Sequence, residues 1–185
     1  MATGWTELKR KILRDVRVEV TEEVDRNFER QAFFSQAWQR HHSPLRQGGH
    51  ILVQSGALRR SVRSRSDADS ITFYSDLPYA AIHNEGGEIR VTARMKAFFW
   101  AKYYEARGGF KRLKDGSLSR SKKQQQLSTV AEFWRAMALK KVGDTVKIPR
   151  RRFLGTSPEM MDNVKRIIED NVSAYLETIG NRIKP

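Results

Sequence analysis

The residues best suited to chemistry in this chain stand in the run Pro78-Tyr79-Ala80-Ala81-Ile82-His83-Asn84-Glu85-Gly86-Gly87. His83 and Glu85 together offer a proton-transfer pair or two metal ligands, since imidazole titrates near neutrality and both groups carry lone pairs. A zinc deaminase site opens on His-x-Glu in this way, but it also needs a Cys pair downstream, and the chain has no Cys. A nuclease fragment of the His-Asn type needs a second His, and none follows His83. The remaining histidines, His41, His42 and His50, fall in one loop ahead of the run, without zinc-finger spacing. No catalytic set, cofactor site or metal site is expected. His83 is expected to hydrogen-bond within the packing or at an interface.

The elements around it have to place that run. Pro78 fixes the entry to a short helix, with Asp76 close enough to cap it. Tyr79 and Ile82 share a face suited to lying on a sheet, and Ala80 rides between them. Gly86 and Gly87 stop the helix with backbone angles that other residues resist. Two further blocks have the same character. In Leu52-x-x-Ser55-Gly56-x-Leu58-x-x-Ser61-Val62, Gly56 permits a tight turn, Ser55 can cap a helical turn, and Leu58 and Val62 are core anchors. In Arg152-Phe153-Leu154-Gly155, Phe153 and Leu154 are core anchors and Gly155 gives a bend. Arg150, Arg151 and Arg152 are expected to be exposed.

The wider pattern predicts mixed helix and strand. Leu8, Ile12, Val16, Val20, Val24 and Phe28 recur every four residues, so a helix is expected from Thr6 to about Phe34. A helix repeats every 3.6 residues, so this stripe drifts around it and needs a bend or a neighbouring subunit for cover. Residues 41–50 read as a loop. Alternation predicts strands over 61–66, 70–74, 88–92 and 145–148, and hence a small antiparallel sheet of about four strands. Met95, Phe98, Phe99 and Tyr103 mark one helix up to Arg107. Leu127, Val130, Ala131, Trp134 and Ala138 mark another, after a Gly-, Ser- and Lys-rich connector over 108–123. The last helix has Ser157 as N-cap, Pro158 first, Glu159 at the positive end, and Gly180 as its expected stop.

Composition sets limits. A chain of 185 residues with 39% hydrophobic and 30% charged residues suits a single domain, 1–185, with a charged surface and an insertion at about 94–143. The absence of Cys removes any disulfide framework. The N-terminal run has no apolar core of the signal-peptide kind, and no apolar run reaches the roughly 18–20 residues of a membrane span. No membrane partner is expected, and folding in a reducing cytoplasm is. The net charge of +14 is lopsided: ten basic residues between Arg94 and Lys123 face only Glu105 and Asp115. Lys111, Arg112, Lys114, Arg120, Lys122 and Lys123 are the candidate contacts for an acidic partner, whether protein or DNA. The aromatics Phe98, Phe99, Trp100, Tyr103 and Tyr104 near these cations keep open a nucleic-acid-binding protein, because bases stack on such rings.

Taken in order, the three blocks resemble those of the virion morphogenesis or tail completion proteins of tailed bacteriophages. The resemblance implies an α+β fold, a small antiparallel sheet flanked by long N- and C-terminal helices. It implies no cofactor and no turnover, and so no enzyme. It implies a subunit of a ring, expected to be a hexamer, in the neck or upper tail, built in the host cytoplasm and carried in the virion. Its partners would be further copies of itself, neighbouring neck, connector or tail proteins, and the packaged DNA. The family motif residues here are Ser55, Gly56, Leu58, Tyr79, Ala80, Ile82, His83, Gly86, Gly87, Phe153, Leu154 and Gly155. Closing six copies would multiply the charge of +14 sixfold, a repulsion that an acidic neighbouring ring or DNA would offset.

Overall fold

The computed structural model describes residues 2–40, 44–45 and 50–183. Two compact units share the chain, one drawn from residues 1–39, 50–85 and 150–185, the other from 40–49 and 86–149. The loop predicted over 41–50, with His41 and His42, lies largely outside the described residues.

In the first unit, helix α1 (Ala2–Arg30) carries the predicted stripe, buried at Leu8, Val20, Val24 and Phe28. Helix α6 (Pro158–Ile183) runs antiparallel along it and covers the drift. Trp5 meets Tyr175 at 6.1 Å between ring centroids, Asn171 donates to Asp15 at 3.2 Å, and Asn163 donates to Glu19 at 3.2 Å. At the far end Ser35 donates to Glu159 at 2.9 Å. The stripe therefore finds its partner inside the chain.

Helix α1 stops at Arg30, short of the predicted Phe34, because Gln31 turns left-handed at φ 57°. The Gln31 side chain donates to the Phe28 carbonyl at 2.5 Å and accepts from Ile51 N–H, so the turn satisfies its own polar groups. The chain then folds back as the two-residue strands β1 (Ala32–Phe33) and β2 (Gln36–Ala37), which bury Phe33 and lead to buried Trp38.

Helix α2 (Ala57–Ser61) leads into strands β3 (Val62–Ser66) and β4 (Ile71–Ser75), paired from Val62↔Ser75 to Ser66↔Ile71. Helix α3 (Ala80–Glu85) follows. One core joins these elements: Val20, Val24, Phe28, Trp38, Ile51, Leu58, Ala80, Phe153 and Met160. Phe28 and Phe153 are fully buried at its centre, with ring centroids 5.2 Å apart.

The start of α6 follows its sequence signals, for the Ser157 hydroxyl accepts from Met160 N–H at 3.0 Å. The predicted stop at Gly180 does not occur. The helix continues to Ile183, and Gly180 has no positive φ. Glycine permits a left-handed turn without imposing one, and here Thr178, which donates to the Ala174 carbonyl at 2.9 Å, lies within an unbroken ladder.

The second unit holds strands β5 (Gly87–Arg90) and β6 (Thr145–Ile148), paired from Gly87↔Ile148 to Arg90↔Thr145. Between them stand helices α4 (Ala93–Gly108) and α5 (Lys122–Leu139). Thr92 and Ser121 cap the two helices through their hydroxyls, at 3.2 and 3.3 Å. Phe99 stacks on Trp134 at 5.9 Å, and Ala106, Ala131 and Ala138 are buried in the helical pair.

The class is therefore α+β with antiparallel pairing. The four predicted strands all form, but as two separate ladders, β3–β4 and β5–β6, and not as one sheet. Each ladder is closed by its own connection, a tight turn at Asp67–Ser70 in one case and the α4–α5 pair in the other.

Candidate functional site

Residues 151–154 run as irregular backbone between β6 and α6, buried at Arg151 and Phe153. Buried backbone outside a ladder must find partners for its N–H and C=O groups. The first comes from the end of α3, whose His83 carbonyl accepts from Arg151 N–H at 2.8 Å. Asn84 supplies the next three. Its Oδ1 accepts from both Phe153 and Leu154 N–H at 2.9 Å, and its Nδ2 donates back to the Leu154 carbonyl at 3.1 Å. Trp38 Nε1 donates to the Arg152 carbonyl at 2.6 Å, and Asn27 of α1 donates to the Phe153 carbonyl at 3.4 Å. One amide thus does the work of a missing strand, and the second and third sequence blocks are clamped together.

His83 stands at this clamp but spends only its backbone on it. Its ring meets Tyr79 edge-on at 6.1 Å, and Nδ1 is buried with no hydrogen-bond partner among the described residues. Burial, and then the Arg151 guanidinium, push its pKa below the usual 6.5. The Glu85 carboxylate pairs instead with Arg150 at 3.6 Å and accepts from the Asn84 amide of the clamp. The two side chains are therefore not joined in a proton-transfer pair. Among the described residues no group of three or more His, Asp or Glu side chains is placed to hold a metal ion. The arrangement holds chain segments in place.

The other motif residues serve the same end. Gly56 lies at φ 67° just before α2, while Ser55 Oγ accepts from Ala57 N–H at 3.3 Å; the cap position itself is Gly56, without a side-chain bond. Leu58 and Ala80 are buried in the core, and Leu154 packs against it. Arg59, next to Leu58 in the first block, forks onto Asp25 and reaches Glu29 at 2.8 Å, fixing α2 to α1. Gly86 at φ 74° ends α3, and Gly87 opens β5 at φ 150°. Gly155 lies at φ 138°, where an added Cβ would overlap the Arg152 guanidinium, itself 4.6 Å over the Phe33 ring.

Two expectations need correction. Tyr79 does not lie on a sheet: it is 41% exposed, and the buried anchor of α3 is Ala80, with Ile82 half-buried. Arg151 is not a solvated strand end. It is 7% exposed, with Nε donating to the Gln39 carbonyl at 3.0 Å, because a flush backbone clamp draws the whole segment inward.

Asn27, Trp38 and the amide of Asn84 were not legible as clamp residues. Asn27 left one trace: it lies three residues after Val24 and seven after Val20, on the buried face of α1. A polar side chain there needs a buried partner. Glu23 gives the same signal. Burial alone would raise its pKa, but hydrogen bonds from Arg30 and Arg26 outweigh that and hold it below the usual value.

The basic residues of the second unit are built differently. The connector between α4 and α5 is an ordered hairpin with an antiparallel bridge at Arg112↔Leu118. Leu113 N–H donates to the Ser117 carbonyl at 2.7 Å, and Asp115 accepts from both the N–H and the hydroxyl of Ser117. Gln124, 3% exposed on α5, accepts from Lys111 N–H at 2.9 Å and ties the hairpin down. Lys111, Arg112, Lys114, Arg120, Lys122 and Lys123 are all exposed on or beside it.

No helix of the described residues is long and apolar enough to cross a membrane. No curated protein and no solved structure matches the chain. The model of one family does match, over residues 3–173, and so takes in nearly all of α1, the first sixteen residues of α6, the three sequence blocks and the basic hairpin. Blocks that converge on one core and spend their polar atoms on backbone suit the structural role that this family suggests, and the chain belongs to the phage virion morphogenesis family.

Proposed function

We propose that this chain is a structural subunit that completes the tail or joins it to the head, as part of a ring in the neck or at the tail end of the particle. The observation that carries the reading is the convergence of the three blocks on one clamped core, within a chain of a virion morphogenesis family. A subunit that must bear load in a particle needs rigid internal joints more than a reactive cleft. The side chains of Asn84, Asn27 and Trp38 provide such joints. The excursion over about 94–143 is read as an insertion into a single tail-completion domain, facing partners in the particle. A hexamer is the expected ring, with neighbouring neck, connector or tail proteins on its faces and the packaged DNA in its bore.

The test is a phage lacking this gene. Separate heads and tails, or tails with faulty ends, are expected, and a density map of the intact particle should place the chain at the neck or tail end. Normal infectious particles from the deletion would refute the assignment.

A second reading, a nucleic-acid-binding protein, is favoured by one observation. Residues 86–149 hold fifteen of the 35 basic residues and five of the 21 acidic ones. Binding to a short duplex with a steep salt slope would support it.

A further inference from the structure

The hairpin between α4 and α5 presents cations and exposed apolar side chains together. Its cations surround two leucines, Leu113 at 50% and Leu118 at 39% exposure, on a backbone that is already ordered. Phosphates would satisfy the cations and leave the leucines in water. A protein surface that is both acidic and apolar would satisfy both.

Such a surface exists on the first unit. A groove of about 330 Å³ between α1 and α6 is lined by Asp15, Glu19, Glu22 and Asp170 around Val18 and Ile167, with no Lys or Arg among its lining residues. Arg14 and Arg26 pair with it from the rim, at 3.5 Å to Asp15 and 2.8 Å to Glu22, and leave it negative. Val18 is 53% exposed. Asn171, 7% exposed, lines the same groove: its Nδ2 is committed to Asp15 and the Ile167 carbonyl, and its Oδ1 receives no donor among the described residues.

We infer that the Lys111–Ser119 hairpin of one copy docks into the α1–α6 groove of a second copy, as the contact between neighbours in the ring. This rests on the ring reading above and names its interface. Charge balance supports a second copy as the occupant. Outside residues 86–149 the chain has twenty basic and sixteen acidic residues, so each copy carries its surplus on one side of such a contact and can receive it on the other. A head-to-tail contact of this kind is the type from which rings are built when its rotation closes, and it sets opposite charges against each other at each joint of the +14 subunits. The hairpin is held in advance by Gln124 and Asp115, so little ordering cost falls on association.

A charge swap in trans tests this. Lys111→Glu/Lys114→Glu reverses the hairpin, and Glu22→Lys/Asp170→Lys reverses the groove; all four side chains are exposed, and circular dichroism checks that both variants fold. Sedimentation of the whole chain at low and high salt should show the wild type associating and losing this with salt. Each variant alone should associate roughly tenfold more weakly or worse. An equal mixture of the two should recover, because every hairpin again meets a groove of opposite sign. Variants that assemble like the wild type, or a mixture that stays apart, would overturn the docking. So would a hairpin variant that loses only its affinity for a short DNA duplex, which would assign the hairpin to nucleic acid. A wild type that stays monomeric in all conditions overturns it too, whereas the ring reading is decided separately by density in the particle.

Discussion

Replacing Asn84 by Ala removes the amide that holds residues 153 and 154. Two backbone N–H groups at 2.9 Å and one carbonyl at 3.1 Å lose their partner at once. A buried polar group left without a partner costs about 1–3 kcal/mol. Phe153 is 0% exposed, so its N–H stays dry and bears the full penalty. Leu154 is only half-buried, so water can reach its two groups and recover part of theirs. The expected loss is about 3–4 kcal/mol, a large share of the roughly 5–15 kcal/mol that holds a typical domain together. For a chain of this length that corresponds to a fall in melting temperature on the order of 10 °C. Asn84→Asp tests the donor side: it keeps the oxygen that accepts both N–H groups but turns a second, negative oxygen toward the Leu154 carbonyl and the Glu85 carboxylate, which the amide had donated to. A loss at neutral pH at least as large as that of Ala is expected for it. Thermal melts of the three proteins at neutral pH, followed by circular dichroism, give the comparison. An Ala variant melting within about 2 °C of the wild type would show that the clamp carries no load, and the reasoning would fail.

Two further perturbations follow from the same region and from α6. Gly155→Ala forces a side chain into φ 138° and pushes the Arg152 guanidinium off the Phe33 ring, so a loss of about 2–3 kcal/mol is expected in urea unfolding. Gly180→Ala, in open space inside a helix, should instead stabilise by about 0.5–1 kcal/mol, and the pair of opposite signs is the check. His83 makes stability depend on pH. Its folded pKa lies below 6.5, so the unfolded chain binds the proton more readily than the folded one. Stability from this group is complete above that range and is lost as pH falls through 6.5 toward the depressed folded value. Melts at pH 7.5 and 5.5 should show this loss in the wild type and a smaller one in His83→Gln; equal slopes in the two proteins would count against it. The carboxylates held low, Glu23, Asp25 and Glu159, release their share only at more acid pH.

Local signals carried far in this chain. Ser157 caps the helix that follows it as expected, and Gly56, Gly86 and Gly155 take the positive φ their blocks require. The alternation over 61–66 and 70–74 became a hairpin, with Val62, the expected anchor, and Phe73 packed against the core. These features depend on residues a few positions apart, which a sequence displays directly. The α1 stripe and the aromatic faces of α4 and α5 are legible for the same reason.

What the sequence alone determined is thus the punctuation, the periodicity and the uneven charge. Which polar groups meet is settled by long-range packing. Asn84 bonds 69 and 70 positions away, Trp38 114 and Asn27 126, and nothing in their neighbours marks them for Phe153, Leu154 or Arg152. The burial of Arg151 goes with those distant pairings, and the exposure of Tyr79 and the two separate ladders are likewise features of the packed chain. The physical reason is the demand that buried backbone be hydrogen-bonded. It is settled only when segments come together, and the chain met it here with side chains that a linear reading leaves among the ordinary polar residues.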